Sequence, residues 1–173
     1  MLHKQMIVLI LSISGASSLS ADASDEAMAL VNEATAHGEC SSYIGFLYDD
    51  YTVAGFTGEK AAMEAKYKHL DNAATAAKKF VELASQNDID GKRMIYKKGG
   101  KTCMNETCFP SADFITAMFT FGGAQKAQKE VSQKEIACPD GVWLPCFGTE
   151  PADNWWVKAR DFYEEKNCRL LLR

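Results

Sequence analysis

The 173-residue sequence is short of several things: three histidines, four prolines and no apolar run approaching a bilayer-spanning helix, which takes about 20 residues. It has no nucleophile elbow, no phosphate-cradling glycine loop, no HExxH helix and no CxxCH haem attachment. The cysteines form no CxxC pair, and the spacings match neither Cys-only nor Cys/His zinc sites. No metal, no cofactor and no enzymatic activity are therefore expected. Positive charge is not in surplus: 19 Lys and Arg face 23 Asp and Glu, a formal charge of −4. Such a balance gives no general attraction for nucleic acid. There is no internal repeat and no low-complexity stretch. Scarce proline and a long alanine-rich segment also argue against disorder.

What is present is globular in composition, 47% apolar and 24% charged, and of a length that suits one domain. The first twenty residues stand apart from it. Lys4 gives a positive start, Met6 to Ile13 is a short apolar run, and Ser14 to Ser20 is small and polar. This is the layout of a secretory signal peptide, cleaved after Ser20 or as late as Ala23, leaving residues 24–173 as the working domain. Removing residues 1–20 takes away one lysine and no acid, so the remaining chain has a charge of −5. The expected location is extracytoplasmic: the periplasm of a Gram-negative bacterium, or otherwise secreted. No stable membrane insertion is expected after cleavage.

Six cysteines follow the leader: Cys40, Cys103, Cys108, Cys138, Cys146 and Cys168. An even number in that setting reads as three disulfides, and six cysteines allow 15 pairings. The most local solution joins Cys103 to Cys108 and Cys138 to Cys146, leaving Cys40 for Cys168.

Periodicity then divides the domain. Gly58 to about Asn87 is the strongest helix, with Met63, Tyr67, Leu70, Ala74, Ala77, Val81 and Ala84 as its apolar stripe. Ser24 to about Tyr51 is read as a first helix capped by Ser24, with Gly38 and Gly45 weakening it or allowing close packing. A third begins at Ser111 and fades by Glu135, with the stripe Phe114, Met118, Phe121, Gln125, Gln128 and Val131. Gly122-Gly123 kinks it or admits another element. A fourth is capped by Thr149 and ends near Asn167, before the apolar tail Leu170 to Leu172, which needs covering. Lys101 to Pro110 is expected to be a disulfide loop, and Lys92 to Lys98 is too short to assign. The fold class is all-α: a single-domain, roughly four-helix bundle with disulfide-bonded loops.

Candidate functional residues are few. Lys92, Arg93, Lys97, Lys98 and Lys101 form a basic cluster in an acidic protein, either a solvated loop or a landing patch for an anionic partner. Trp143, Trp155 and Trp156 are core anchors or, if exposed, contact residues, and Trp155 and Trp156 cannot both face inward. The binding set expected from this is Lys92, Arg93, Lys97, Lys98, Trp143 and Trp156. His37 shares a helix face with Cys40, but a disulfide-bonded sulfur is no nucleophile. Asp49 and Asp50 point about 100° apart on a helix and read as a solvated helix end. His69 reads as a surface residue.

The segment Glu39-Cys40-Ser41-Ser42-Tyr43-Ile44-Gly45 resembles the first helix of periplasmic helical immunity proteins of the type VI amidase-immunity kind. Those place a cysteine and a tyrosine three apart, with a glycine soon after. The glycine spacing is shorter here and no second motif matches. The expected function is binding of a protein partner, as an immunity protein or inhibitor does. The alternative is a small-ligand carrier with an apolar cavity between the second, third and fourth helices, lined by Phe114, Phe121, Trp155 and Phe162. A hydrolase using His37 or Asp49 and Asp50 is a residual reading.

Overall fold

The computed structural model describes residues 14–47, 51–52, 54–131 and 155–173. Among these the chain is mostly helical, with a small sheet. Helix α1 (Ser14–Phe46) is central: α2 (Glu59–Gln86), α3 (Ala112–Val131) and α4 (Trp155–Glu165) all pack on it. From His37 to Ser41 five successive residues are buried, as a helix enclosed on every side requires. Ser24 does not cap this helix, which already runs from Ser14. Its hydroxyl instead accepts the backbone N–H of Asp90 at 3.1 Å, pinning the turn after α2. The helix stops at Phe46, short of Tyr51, which lies in a turn.

Helix α2 matches its sequence boundaries, with Gly58 and Asn87 at its caps, but its buried face is turned by about one residue. Ala62, His69, Ala73, Ala76, Phe80 and Ala84 face inward with Ala77 and Val81, while Tyr67 is 63% exposed. Small side chains let α1 come close, so the bulkier Met63 and Tyr67 are displaced to the flank.

Helix α3 corrects the sequence reading further. Ile115, Thr116, Gly123, Ala127 and Val131 are buried, and Phe114, Met118 and Phe121 face outward. The cause is a glycine crossing. A Cβ on Gly123 would collide with the Thr35 carbonyl oxygen and the Glu39 backbone nitrogen of α1, and one on Gly38 would lie 2.6 Å from the Thr120 carbonyl oxygen. Gly122 has open space where a Cβ would stand. Only the Gly123 side of α3 can approach α1.

Lys101 to Pro110 is not a loop: with Ile95 to Lys98, within the stretch too short to assign from periodicity, it forms an antiparallel meander, the main departure from an all-α fold. Strands β1 (Ile95–Lys98), β2 (Lys101–Met104) and β3 (Thr107–Phe109) pair in that order. Gly99 and Gly100 have φ of 58° and 76°, the pair of positive values a two-residue type I′ turn demands. Cys103 and Cys108 are cross-strand partners with Cα atoms 3.9 Å apart and are bonded. Cys40 and Cys168 are bonded with Cα atoms 5.5 Å apart, joining α1 to the segment after α4. Cys138 and Cys146 lie outside the described residues.

Two apolar clusters result. One, around Leu30, Phe80, Ile95 and Ile115, sits under the sheet; the other, around Tyr43, Ile44, Leu47 and Tyr163, sits around the Cys40–Cys168 bond. Helix α4 ends before Asn167, which takes φ 53° and turns the chain back. Leu170 to Leu172 form a short 3-10 turn, and contrary to expectation Leu170 and Leu171 remain exposed. Among the described residues no helix is long and apolar enough to cross a membrane.

Candidate functional site

The basic cluster divides into parts with different fates. Arg93 is committed locally: its guanidinium donates to Asp88 at 2.9 Å and to the Ser85 carbonyl at 3.1 Å. Lys92 is exposed in the turn bridged to Ile89. Lys97, Lys98 and Lys101 gather at the end of the β1–β2 hairpin, where Lys98 pairs directly with Lys101. All three are exposed, and among the described residues none pairs with an acid; Lys97 Nζ donates to Thr102 Oγ1 at 2.5 Å.

The strand that packs on α3 is β3, whereas the lysines stand on β1 and β2, with Lys98 and Lys101 on the face opposite Lys97. Lys97, Thr102 and Phe109 lie opposite one another across the three strands, so they share a face of the sheet. Phe109 stacks on Phe114 with ring centres 5.4 Å apart. From there Phe114 (53% exposed), Met118 (42%) and Phe121 (63%) run along α3 at spacings of four and three, one outward row. The aromatic row was visible in the sequence, but as core.

Trp156 is 36% exposed on α4 and meets Trp155 edge-on at 6.1 Å; Trp155 in turn meets Phe46. It sits on a helix that packs on α1 and α3, whereas the sheet packs on α2 and α3. Trp143, Asp49 and Asp50 lie outside the described residues. The four residues suggested to line a ligand cavity are not brought together, since Phe114 and Phe121 point outward. Phe162 instead borders an open cleft of about 220 Å³ with Glu130, Lys158, Asp161 and Glu165.

Two buried polar groupings went unrecognised in the sequence. His69 is not a surface residue: it is 0% exposed and His37 4%, and their Nδ1 atoms are 2.8 Å apart. The pair lies between the two apolar clusters, where α1 and α2 face each other. Such a contact needs one Nδ1 to donate and the other to accept, so the accepting ring must be neutral, and two protonated rings would set donor against donor. Burial lowers the pKa of His37 against an opposing pull from Glu33. Burial, then the charges of His37 and Lys68, bring His69 down to about 4. Among the described residues His69 Nε2 and the Tyr163 hydroxyl have no hydrogen-bond partner, and burial raises the Tyr163 pKa against an opposing pull from Arg169. The spacing of His69 from Ala62, Ala73 and Ala76 was the available signal.

The second grouping centres on Glu39, a buried carboxylate held by Lys126 at 2.6 Å and Lys166 at 3.6 Å. Lys166 also reaches Glu130 at 3.2 Å, and the Tyr43 hydroxyl donates to Glu130. Desolvation pulls the Lys166 amine down, but Glu130 and Glu39 together outweigh it and its pKa rises. Burial and then Glu130 push the Tyr43 phenol well above its ordinary range. Among the described residues the two carboxylates are matched by two amines, and the network ties α1, α3 and the end of α4 together. Among the described residues no group of three or more potential metal ligands is gathered.

No protein-family model, curated protein or solved structure matches the chain. The likeness over Glu39 to Gly45 rests on those residues alone.

Proposed function

We propose that this is a non-catalytic extracytoplasmic protein that acts by binding a protein partner, in the manner of an immunity protein or inhibitor. In this reading residues 1–20, or up to 23, are a cleaved signal peptide. The remaining chain closes as a four-helix bundle with the small sheet at one end. The disulfide-bonded pairs and the want of a spanning helix among the described residues are compatible with that compartment.

The observation that carries the reading is the outward row Phe114, Met118 and Phe121 on α3. Burying a large apolar side chain is worth about 1.5 to 3 kcal/mol, so exposing three in one row forgoes a sizeable gain. Aromatic and methionine side chains in such a row are the usual anchors of a protein interface. The test is retention of proteins from an extracytoplasmic extract on the immobilised mature chain. A stoichiometric partner held by the wild type and lost from a Phe114→Ser, Phe121→Ser variant of unchanged thermal stability is the expected result. Retention that ignores these substitutions, or no partner at all, refutes the reading.

A further inference from the structure

We propose that the Cys103–Cys108 bond is a thiol–disulfide exchange site: it takes an external dithiol at Cys108 and serves as a redox-sensitive fastening on the sheet. The proposal is independent of what the protein binds.

The two disulfides of the described residues differ in access. Cys40 and Cys168 are 1% and 0% exposed and belong to the second apolar cluster. A thiol reaches them only if that cluster opens. Cys108 is part-exposed on β3, an edge strand of the sheet, whereas its partner Cys103 is 0% exposed. The register explains the difference. Tyr96, Cys103 and Cys108 lie opposite one another across β1, β2 and β3, so they form one row on the face turned away from Thr102 and Phe109. Cys103 stands in the middle of that row. The Tyr96 side chain reaches along the sheet, its hydroxyl donating to the Asn105 carbonyl in the β2–β3 turn at 2.7 Å. A thiolate arriving from solvent therefore meets Cys108 first.

The same face carries positive charge. Lys98 and Lys101 pair with each other, two residues along their strands from Tyr96 and Cys103 and on the same side. Both are exposed, and among the described residues neither pairs with an acid. A neighbouring amine favours thiolate over thiol, and a leaving thiol of lower pKa leaves faster. The lysines thus draw in the attacking thiolate and ease the departure of Cys103.

In the exchange, one thiolate of the dithiol attacks Cys108 Sγ. The Sγ–Sγ bond breaks and its electron pair leaves on Cys103 Sγ, giving a mixed disulfide. The second thiol of the dithiol, deprotonated, attacks the first sulfur of the same molecule, and Cys108 leaves as a thiolate. The dithiol is oxidised by two electrons to a disulfide, and the two cysteines take them up together with its two protons. An external disulfide runs the same steps backwards. The bond fastens a weak element. Strand β3 has three residues and pairs with β2 alone. It carries Phe109, which packs against the first apolar cluster and stacks on Phe114. Opening the bond loosens this edge of the sheet, while the Cys40–Cys168 link stays closed.

The test exposes the native, oxidised protein to graded dithiothreitol at neutral pH, with iodoacetamide pulses and peptide mapping. Cys103 and Cys108 should become alkylated at least tenfold faster than Cys40 and Cys168. In the reduced product the β3 amides should exchange hydrogen at least tenfold faster, with α1 and α2 unchanged. With 2-mercaptoethanol in place of the dithiol, the first adduct should be trapped on Cys108. A Lys98→Glu/Lys101→Glu chain, altered only at exposed positions and of unchanged circular-dichroism melt, should open at least threefold more slowly. Equal rates for the two bonds, a first adduct on Cys103, or a Cys103–Cys108 bond that opens only once the chain unfolds overturns the proposal. A charge-reversed chain that opens at the wild-type rate overturns the role of the lysines.

Discussion

Acidification should loosen the seam between α1 and α2 through the His37–His69 pair. In the folded protein both rings are buried and have lowered pKa values, His69 at about 4. In the unfolded chain a histidine titrates near 6.5. The unfolded state therefore binds the extra proton first, and stability falls as pH drops below about 6.5. For His69 the loss continues down to about 4 and then levels off, because both states are protonated there. At about 1.36 kcal/mol per pH unit, the interval from 6.5 to about 4 is worth about 3 kcal/mol from His69, and His37 adds in the same direction. This compares with a total stability of about 5 to 15 kcal/mol for a typical domain. Carboxylates titrate in the lower part of the same window, so the comparison needs a chain without the pair. His37→Leu/His69→Leu removes both partners together, which avoids leaving one buried ring unsatisfied. Urea midpoints at pH 7, 6, 5 and 4.5 should fall more steeply in the wild type. The difference between the two chains should change by about 2 to 3 kcal/mol across that range. Parallel curves, or an NMR titration placing His69 near 6.5, would refute the argument.

Gly123→Ala should destabilise by about 2 kcal/mol or more, since its methyl meets α1 backbone; Gly122→Ala, in open space one residue away, should be neutral or gain up to about 1 kcal/mol. Thermal melts of the two variants read this directly, and equal losses would contradict the glycine crossing. Cys168→Ser opens a link across a separation of 128 residues and Cys103→Ser one across 5. In the chain-entropy model these cost about 5 and about 2 kcal/mol respectively. Non-reducing peptide maps should show Cys40 linked to Cys168, and denaturation should rank Cys168→Ser as the costlier change.

Helix α2 was legible because its period is long and clean, but its inward face was read one residue too far round. Met63, Tyr67 and Leu70 carry more apolar surface than Ala62, Ala73 and Ala76, and a stripe drawn by hydrophobicity follows the larger residues. Packing follows the smaller ones, because α1 comes close only where side chains are short. Helix α3 shows the same conflict: it has two apolar faces, and the bulkier was taken as core although Gly123 sits on the other. The strands were hidden by brevity. Ile95 and Tyr96 are the only apolar residues of β1, too few to establish a period of two. The Gly99-Gly100 turn was the sole local clue. At the hairpin the lysines were visible, but that Lys97 faces one side of the sheet and Lys98 and Lys101 the other depends on strand register, which local sequence leaves open. His69 was missed because nothing near it in the chain announces His37, 32 residues earlier.

The distance along the chain between Cys40 and Cys168 also sets an order of assembly. At about 5 to 20 residues per second, a separation of 128 residues keeps the Cys40 thiol waiting for about 6 to 26 s of synthesis. Cys103 and Cys108 emerge during that interval, and either could capture it. A tight hairpin closes in about 1 to 10 μs, so β2 and β3 bring those two sulfurs together almost as soon as they are made. Disulfide formation itself needs an oxidant and takes seconds to hours, so what the meander contributes is proximity: it holds Cys103 and Cys108 against each other, which favours their mutual bond over capture of Cys40.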